Sequence, residues 1–179
     1  MFNTDNTITE TIPLYNDTVR VIEKLNDSSI ITDTLTYLLT GDLEVLTPQP
    51  NGQTKLEYIV KGEVFTEKLY DSNNKLINVK EFGKEYLLET IYNSYGGYIT
   101  ERRDKVSNNL IESSTYNADN RLIKKTEYLT ISKKEITIYN INDNTRNKTI
   151  YINDTKTQQI YYNNQNIATV LINYFSDYI

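Results

Sequence analysis

The sequence predicts a mainly β protein: an antiparallel up-and-down meander of about ten or eleven repeat strands in a twisted or curled sheet, preceded by a small N-terminal two-helix segment. Three observations predict it. An aromatic residue recurs along the chain at Tyr58, Tyr70, Phe82, Tyr92, Tyr116, Tyr128, Tyr139, Tyr151, Tyr162 and Tyr174, and Asp104 fills the one empty slot. The intervals are 12, 12, 10, 12, 12, 12, 11, 12, 11 and 12 residues, the length of one strand plus one turn. Between the aromatics, runs rich in Thr, Ile, Tyr and Val alternate with clusters of Asn, Asp, Gly and Lys. The residues before Gly41 have a different texture.

In that first stretch, Asn16 and Asp17 are N-cap types ahead of Val19, Ile22 and Leu25, which share a helical face. Asp27 and Ser28 stand before Ile30, Ile31, Leu35, Leu38 and Leu39, and Gly41 is placed to stop a second helix. Residues 1–46 therefore read as a helical segment packing on the sheet. Thr47-Pro48-Gln49-Pro50-Asn51-Gly52 punctuates the chain, because its prolines disfavour helix and Asn-Gly favours a tight turn. Residues 54–179 read as the array, the whole making a single domain.

Within the array, Glu63 to Tyr70, Arg121 to Tyr128, Glu135 to Tyr139 and Thr149 to Ile152 are strand-like. Successive strands reverse direction, so the turns sort onto two edges. The turns after Tyr70, Tyr92, Tyr116, Tyr139 and Tyr162 begin with Asp71, Asn93, Asn117, Asn140 and Asn163, side chains that close Asx-turns. The opposite edge carries Lys61-Gly62, Gly83-Lys84, Lys105 to Asn109, Ser132 to Lys134 and Asn153 to Thr157, so lysine replaces asparagine as its recurrent residue. Alternation is mixed on both faces: Tyr70 lies with Lys68, Thr66 and Val64, while Leu69, Glu67 and Phe65 lie opposite. Such a sheet is partly exposed and held by cross-strand ladders. The ending Val170 to Phe175 either covers one end of the array or forms an open strand edge.

Composition narrows function. A chain of 179 residues, 38% hydrophobic with a formal charge of −5, supports one domain and argues against a nonspecific nucleic-acid binder, which needs a basic face. It has no Cys and no His, which removes disulfides, thiolate nucleophiles and the usual zinc sites. The start Met1-Phe2-Asn3-Thr4-Asp5 has neither a basic nor an apolar leader region, and no run approaches the roughly 20 apolar residues of a membrane span. A cytoplasmic protein is expected, with the sequons at Asn16, Asn26, Asn147 and Asn153 reflecting an Asn-rich composition.

Asn140 to Asn144 resembles the start of a calcium loop. Thr145 stands where Gly is required and Tyr151 where the bidentate Glu belongs, so it reads as a solvated turn. Arg102 and Arg103 near Asp104 read as surface ion pairing. Glu67 and Glu89 offer carboxylates for glycosidase chemistry, but nothing distinguishes them from the other acids. No enzyme and no cofactor is expected.

The units Leu69-Tyr70-Asp71-Ser72-Asn73-Asn74-Lys75-Leu76-Ile77 and Thr115-Tyr116-Asn117-Ala118-Asp119-Asn120-Arg121-Leu122-Ile123 resemble the tyrosine-aspartate repeats of Rhs-type proteins. They also resemble the MORN-like hairpin repeats of bacterial antitoxin and immunity proteins. Asn74 and Asn120 replace the Gly usual in the hairpin turn. The resemblance implies a non-enzymatic, protein-binding β-repeat protein, an immunity or antitoxin partner of a toxin. The alternative is a structural subunit of a phage or other assembly, located in the virion, and a homo-oligomer is compatible with either. Candidate partner-binding residues are Asn93, Tyr95, Asn117, Asp119, Asn142 and Asp143 on the Asn/Asp rim, with Tyr174 and Phe175 at the end of the array.

Overall fold

A computed structural model describes the backbone of residues 7–13, 19–25 and 31–37 and all of residues 42–174. The chain forms two compact units, 1–83 and 84–179. The first holds β1 (Thr7–Pro13), β2 (Val19–Leu25), β3 (Ile31–Tyr37), β4 (Leu43–Pro48), β5 (Thr54–Val60), β6 (Glu63–Tyr70) and β7 (Leu76–Phe82). Each strand pairs antiparallel with its successor. The second holds β8 (Tyr86–Tyr92), β9 (Tyr98–Asp104), β10 (Leu110–Tyr116), β11 (Leu122–Tyr128), β12 (Lys133–Asn140), β13 (Thr145–Ile152), β14 (Thr155–Tyr162) and β15 (Ala168–Asn173), again paired in chain order. From Thr54 onward this gives eleven strands, in agreement with the aromatic period.

The N-terminal helices are not formed. Val19–Leu25 and Ile31–Tyr37 are strands, and β2 pairs with both β1 and β3. The positions Val19, Ile22 and Leu25 fit a helical face, but Val19, Val21 and Leu25 fit a period of two equally well. In β3, Ile31, Leu35 and Tyr37 alternate with Thr32, Thr34 and Thr36. Seven β-branched residues in these two strands favour the pleated backbone. The expected caps Asn16, Asp17, Asp27 and Ser28 and the stop Gly41 lie outside the described residues. The Pro-Asn-Gly punctuator forms a hairpin connection between β4 and β5: Asn51 and Gly52 have φ of 71° and 72°, and the Gln49 N–H donates to the Gln53 carbonyl at 2.8 Å.

Neither unit has a conventional apolar core among the described residues. Val79 is the buried hydrophobic side chain there, and the other buried side chains are Ser114, Thr126, Thr137 and Thr149. All four are short and sit mid-strand, each with a longer residue opposite on at least one side. Thr137 lies between Lys125 and Lys148, and Thr149 lies between Ile136 and Gln159. Long neighbours of this kind cover short residues and the backbone beside them, as lysine stems do on apolar surface. Stability therefore rests on the backbone ladders and on cross-strand pairs at about 0.2–1 kcal/mol each.

Charged rows supply many of those pairs. On one face of the second unit, Glu112 lies 3.8 Å from Arg102 and 3.2 Å from Lys125, and Lys125 also reaches Glu127 at 3.0 Å. Lys148 meets Glu135 at 2.6 Å. Lys80–Glu67 at 3.1 Å bridges β6 and β7 in the first unit. Burial pulls the Lys125 ammonium down, but its bonds to Glu127 and Glu112 outweigh that and raise it above the ordinary lysine range.

Candidate functional site

The Asx rim is built from one hairpin turn used repeatedly. At Asn117 the side-chain oxygen accepts the N–H groups of Asp119 and Arg121 at 3.1 and 2.9 Å. The Asn117 N–H donates to the Arg121 carbonyl, and the Asn120 N–H returns to the Asn117 carbonyl. The same bonds occur at Asp71, Asn93 and Asn163. The fourth residue of each turn has positive φ: Asn74 61°, Gly96 88°, Asn120 61° and Asn166 66°. Asparagine tolerates this left-handed backbone through local hydrogen bonding, which explains how Asn stands in for Gly. The turn at Asn140 departs from the pattern. The Asn140 side-chain oxygen accepts the Asn142 N–H, while the Asp143 carboxylate accepts both the N–H and the hydroxyl of Thr145, so the Thr145 hydroxyl and N–H hold that carboxyl below the ordinary range.

Strand parity converts the aromatic period into two ladders in the second unit. Beside the Asx rim, Tyr92, Tyr98 and Tyr116 face one way across β8, β9 and β10. Tyr92 and Tyr98 have centroids 5.8 Å apart, and Tyr98 stacks on Tyr116 at 4.6 Å. The same row continues through Tyr139, Arg146 and Tyr162, where the Arg146 guanidinium lies 4.5 Å from the Tyr162 centroid. At the opposite rim, on the opposite face, Tyr128, Lys134, Tyr151 and Lys156 alternate across β11 to β14. Lys134 sits 5.5 Å from the Tyr151 centroid and Lys156 sits 4.3 Å from that of Tyr174. Lys134 and Lys156 are thus cation–π partners. Asp104 leaves the aromatic series for a local reason: its carboxylate accepts the N–H groups of Val106 and Ser107 and the Ser107 hydroxyl, closing a longer turn.

These contacts sort the candidate residues. Asn93 and Asn117 spend their side-chain oxygens inside their own turns, and Asp143 does likewise. Asp119 and Asn142 are exposed on turn tips. Tyr95 projects from the tip of the β8–β9 hairpin, 90% exposed. Tyr174 donates its hydroxyl to Gln159 at 3.0 Å beneath Lys156. Phe175 lies outside the described residues. The structure brings the Asx residues into successive turns of one rim in the second unit, well apart in role from Tyr174 at the end strand.

The end strand itself is the most accessible apolar element. All six residues of β15 are exposed, with Val170, Leu171 and Ile172 at 49%, 58% and 37%. Among the described residues β15 pairs with β14 alone, so its outer row of N–H and C=O groups lacks a strand. Natural edge strands usually carry lysine, proline or an inward charge to deter pairing; Ala168-Thr169-Val170-Leu171-Ile172-Asn173 carries none. The apolar C-terminal run signalled this in the sequence, where it left covering cap and open edge as alternatives.

The acids and bases that suggested chemistry have structural partners. Arg103 pairs with Glu101 at 2.6 Å, Arg102 with Glu112, and Glu67 with Lys80. Among the described residues no helix is long and apolar enough to cross a membrane. No protein-family model matches the chain, and no curated protein matches it by sequence.

Proposed function

We propose that this chain is a non-enzymatic protein-binding β-repeat protein that engages its partner by strand addition at β15, in the manner of an immunity or antitoxin partner of a toxin. The observation that carries the reading is the uncharged, exposed apolar edge of β15. Strand addition takes its affinity from main-chain hydrogen bonds and its specificity from alternate side chains, and this edge offers both. The ion-paired state of Arg102, Arg103 and Glu67 supports a structural use of those groups. The test is growth of a host expressing the product of the adjacent gene, with and without this chain. Rescue by the chain, lost with Leu171→Lys, supports the reading; a harmless neighbour or absence of rescue removes the toxin partner, and rescue that survives Leu171→Lys removes β15 as the site.

A second reading, a structural subunit of a phage or other assembly, is favoured by the charge distribution. Residues 157–176 contain no charged side chain, and the next longest such run is the eleven residues 90–100. An uncharged edge suits permanent packing more than electrostatically steered encounter.

A further inference from the structure

We propose that β15 pairs antiparallel with β15 of a second copy of this chain, about a twofold axis at Leu171. The inference rests on the reading of β15 as a docking edge and names what occupies that edge when no other partner is bound.

Backbone geometry permits the pairing. The Tyr174 N–H donates to the Thr157 carbonyl at 2.8 Å, and hydrogen-bonded pairs alternate along an antiparallel ladder. Leu171 and Asn173, opposite Ile160 and Gln158, are therefore the non-bonded positions toward β14. Their N–H and C=O groups point to the open side.

Side chains choose the register. A twofold axis perpendicular to the sheet keeps each face continuous, so residues of equal parity must oppose one another. Centred on Leu171, the pairing sets Leu171 against Leu171 and Val170 against Ile172 twice, an apolar centre flanked on each side by Thr169 against Asn173. A shift by one pair in either direction sets Leu171 against Thr169 or against Asn173. The Leu171-centred register is thus the one that opposes Val170, Leu171 and Ile172 only to one another.

Charge favours a like copy over a charged partner. The chain carries a formal −5, so two copies repel, and they meet with least repulsion where neither bears charge. That place is the 157–176 segment, which includes β15 and most of β14. A basic partner would find no carboxylate there to pair with. A five-residue ladder, Thr169 to Asn173, buries less surface than a standard interface, so the dimer is expected to dissociate on dilution.

The full chain is tested by size-exclusion chromatography with light scattering across a dilution series. The expected result is a concentrated dimer that becomes monomeric with Leu171→Lys and with Leu171→Glu, each placing like charges face to face at an exposed position that the fold does not need. Mixing the two variants restores the dimer, because position 171 faces itself. Ile131→Lys, fully exposed on a distant turn, leaves the dimer intact. A monomer at all concentrations, or a dimer indifferent to Leu171→Lys, overturns the pairing; dissociation without rescue on mixing overturns the Leu171 register. A monomeric wild-type chain that still rescues growth through β15 separates failure of this pairing from failure of the protein-binding reading.

Discussion

Tyr98 and Tyr116 stack with centroids 4.6 Å apart and ring planes at 15°, and the Tyr98 hydroxyl donates to the Asn120 side-chain oxygen one turn further along the rim. The pair thus ties two successive hairpins through both ring and hydroxyl. A double-mutant cycle with Tyr98→Leu and Tyr116→Leu, read by denaturant unfolding, is expected to give a coupling of about 0.5–1.5 kcal/mol. A coupling of zero would show that the stack is only adjacency.

The Asx turns predict a graded mutant series at Asn117. Alanine removes an acceptor that serves two N–H groups and should cost about 1–2 kcal/mol. Aspartate keeps the acceptor and should cost much less. Equal loss for both variants in thermal unfolding would mean that the amide makes some other contact that matters more.

Gly96 and Gly97 are neighbours with different constraints. Gly96 has the positive φ that Asn adopts at positions 74, 120 and 166, so Gly96→Asn should be tolerated if Ala118, 3.3 Å from an added Cβ, gives slightly. A Cβ on Gly97 would stand 2.7 Å from the Tyr116 carbonyl oxygen, a backbone atom that cannot yield cheaply. Gly97→Ala should destabilise by about 1–3 kcal/mol, clearly more than Gly96→Asn. The reverse order in melting temperature would contradict the nested packing of these turns.

Much of this was legible in the sequence, and the misses have physical causes. Tyr116, Asn117 and Asn120 announce strand end, turn start and left-handed residue in plain order, and β6 begins and ends where Glu63 and Tyr70 suggest. The segment around Val19 to Tyr37 fits periods of 2 and 3.6 alike, as short apolar runs do, and its β-branched content is what selects strand. The Tyr–Lys ladder of Lys134, Tyr151 and Lys156 is not legible in the sequence because it needs cross-strand register, which turn length and bulges set. Between Ile150 and Tyr151, for example, the register with β14 shifts. The open edge at Leu171 was visible as an apolar run, but only pairing could tell an edge from a cap.

Asp104 predicts a pH response. The Ser107 N–H and hydroxyl, with the Val106 N–H, hold its carboxyl below the ordinary aspartate range. A carboxyl lowered by folding stabilises the turn above its unfolded pKa of about 3.9, and that contribution is lost as pH falls through the lower folded value. Carboxyl chemical shifts should titrate below 3.9, with the Ser107 amide following. Asp104→Asn should keep the turn and abolish the amide titration; an amide that still titrates would assign the effect elsewhere.

Asn147 predicts a stabilising change. It sits mid-strand in β13 between Ile138 and Tyr161, and its buried side-chain oxygen has no hydrogen-bond partner. Asn147→Val removes the unsatisfied acceptor and suits the pleated backbone, so unfolding should become harder by about 0.5–1.5 kcal/mol. A loss of stability would show that the amide is satisfied in solution.

Rim and face both alternate from one strand to the next, and this limits how such a chain can change length. The Asx turns begin at 71, 93, 117, 140 and 163, steps of 22, 24, 23 and 23 residues. Inserting or deleting one strand and turn would send every later tyrosine to the wrong rim and the wrong face, breaking both ladders at once. Inserting or deleting a whole hairpin leaves each ladder in phase and moves β15 without altering it. Length in this architecture is counted in hairpins, and the terminal edge is the part that any number of them can carry unchanged.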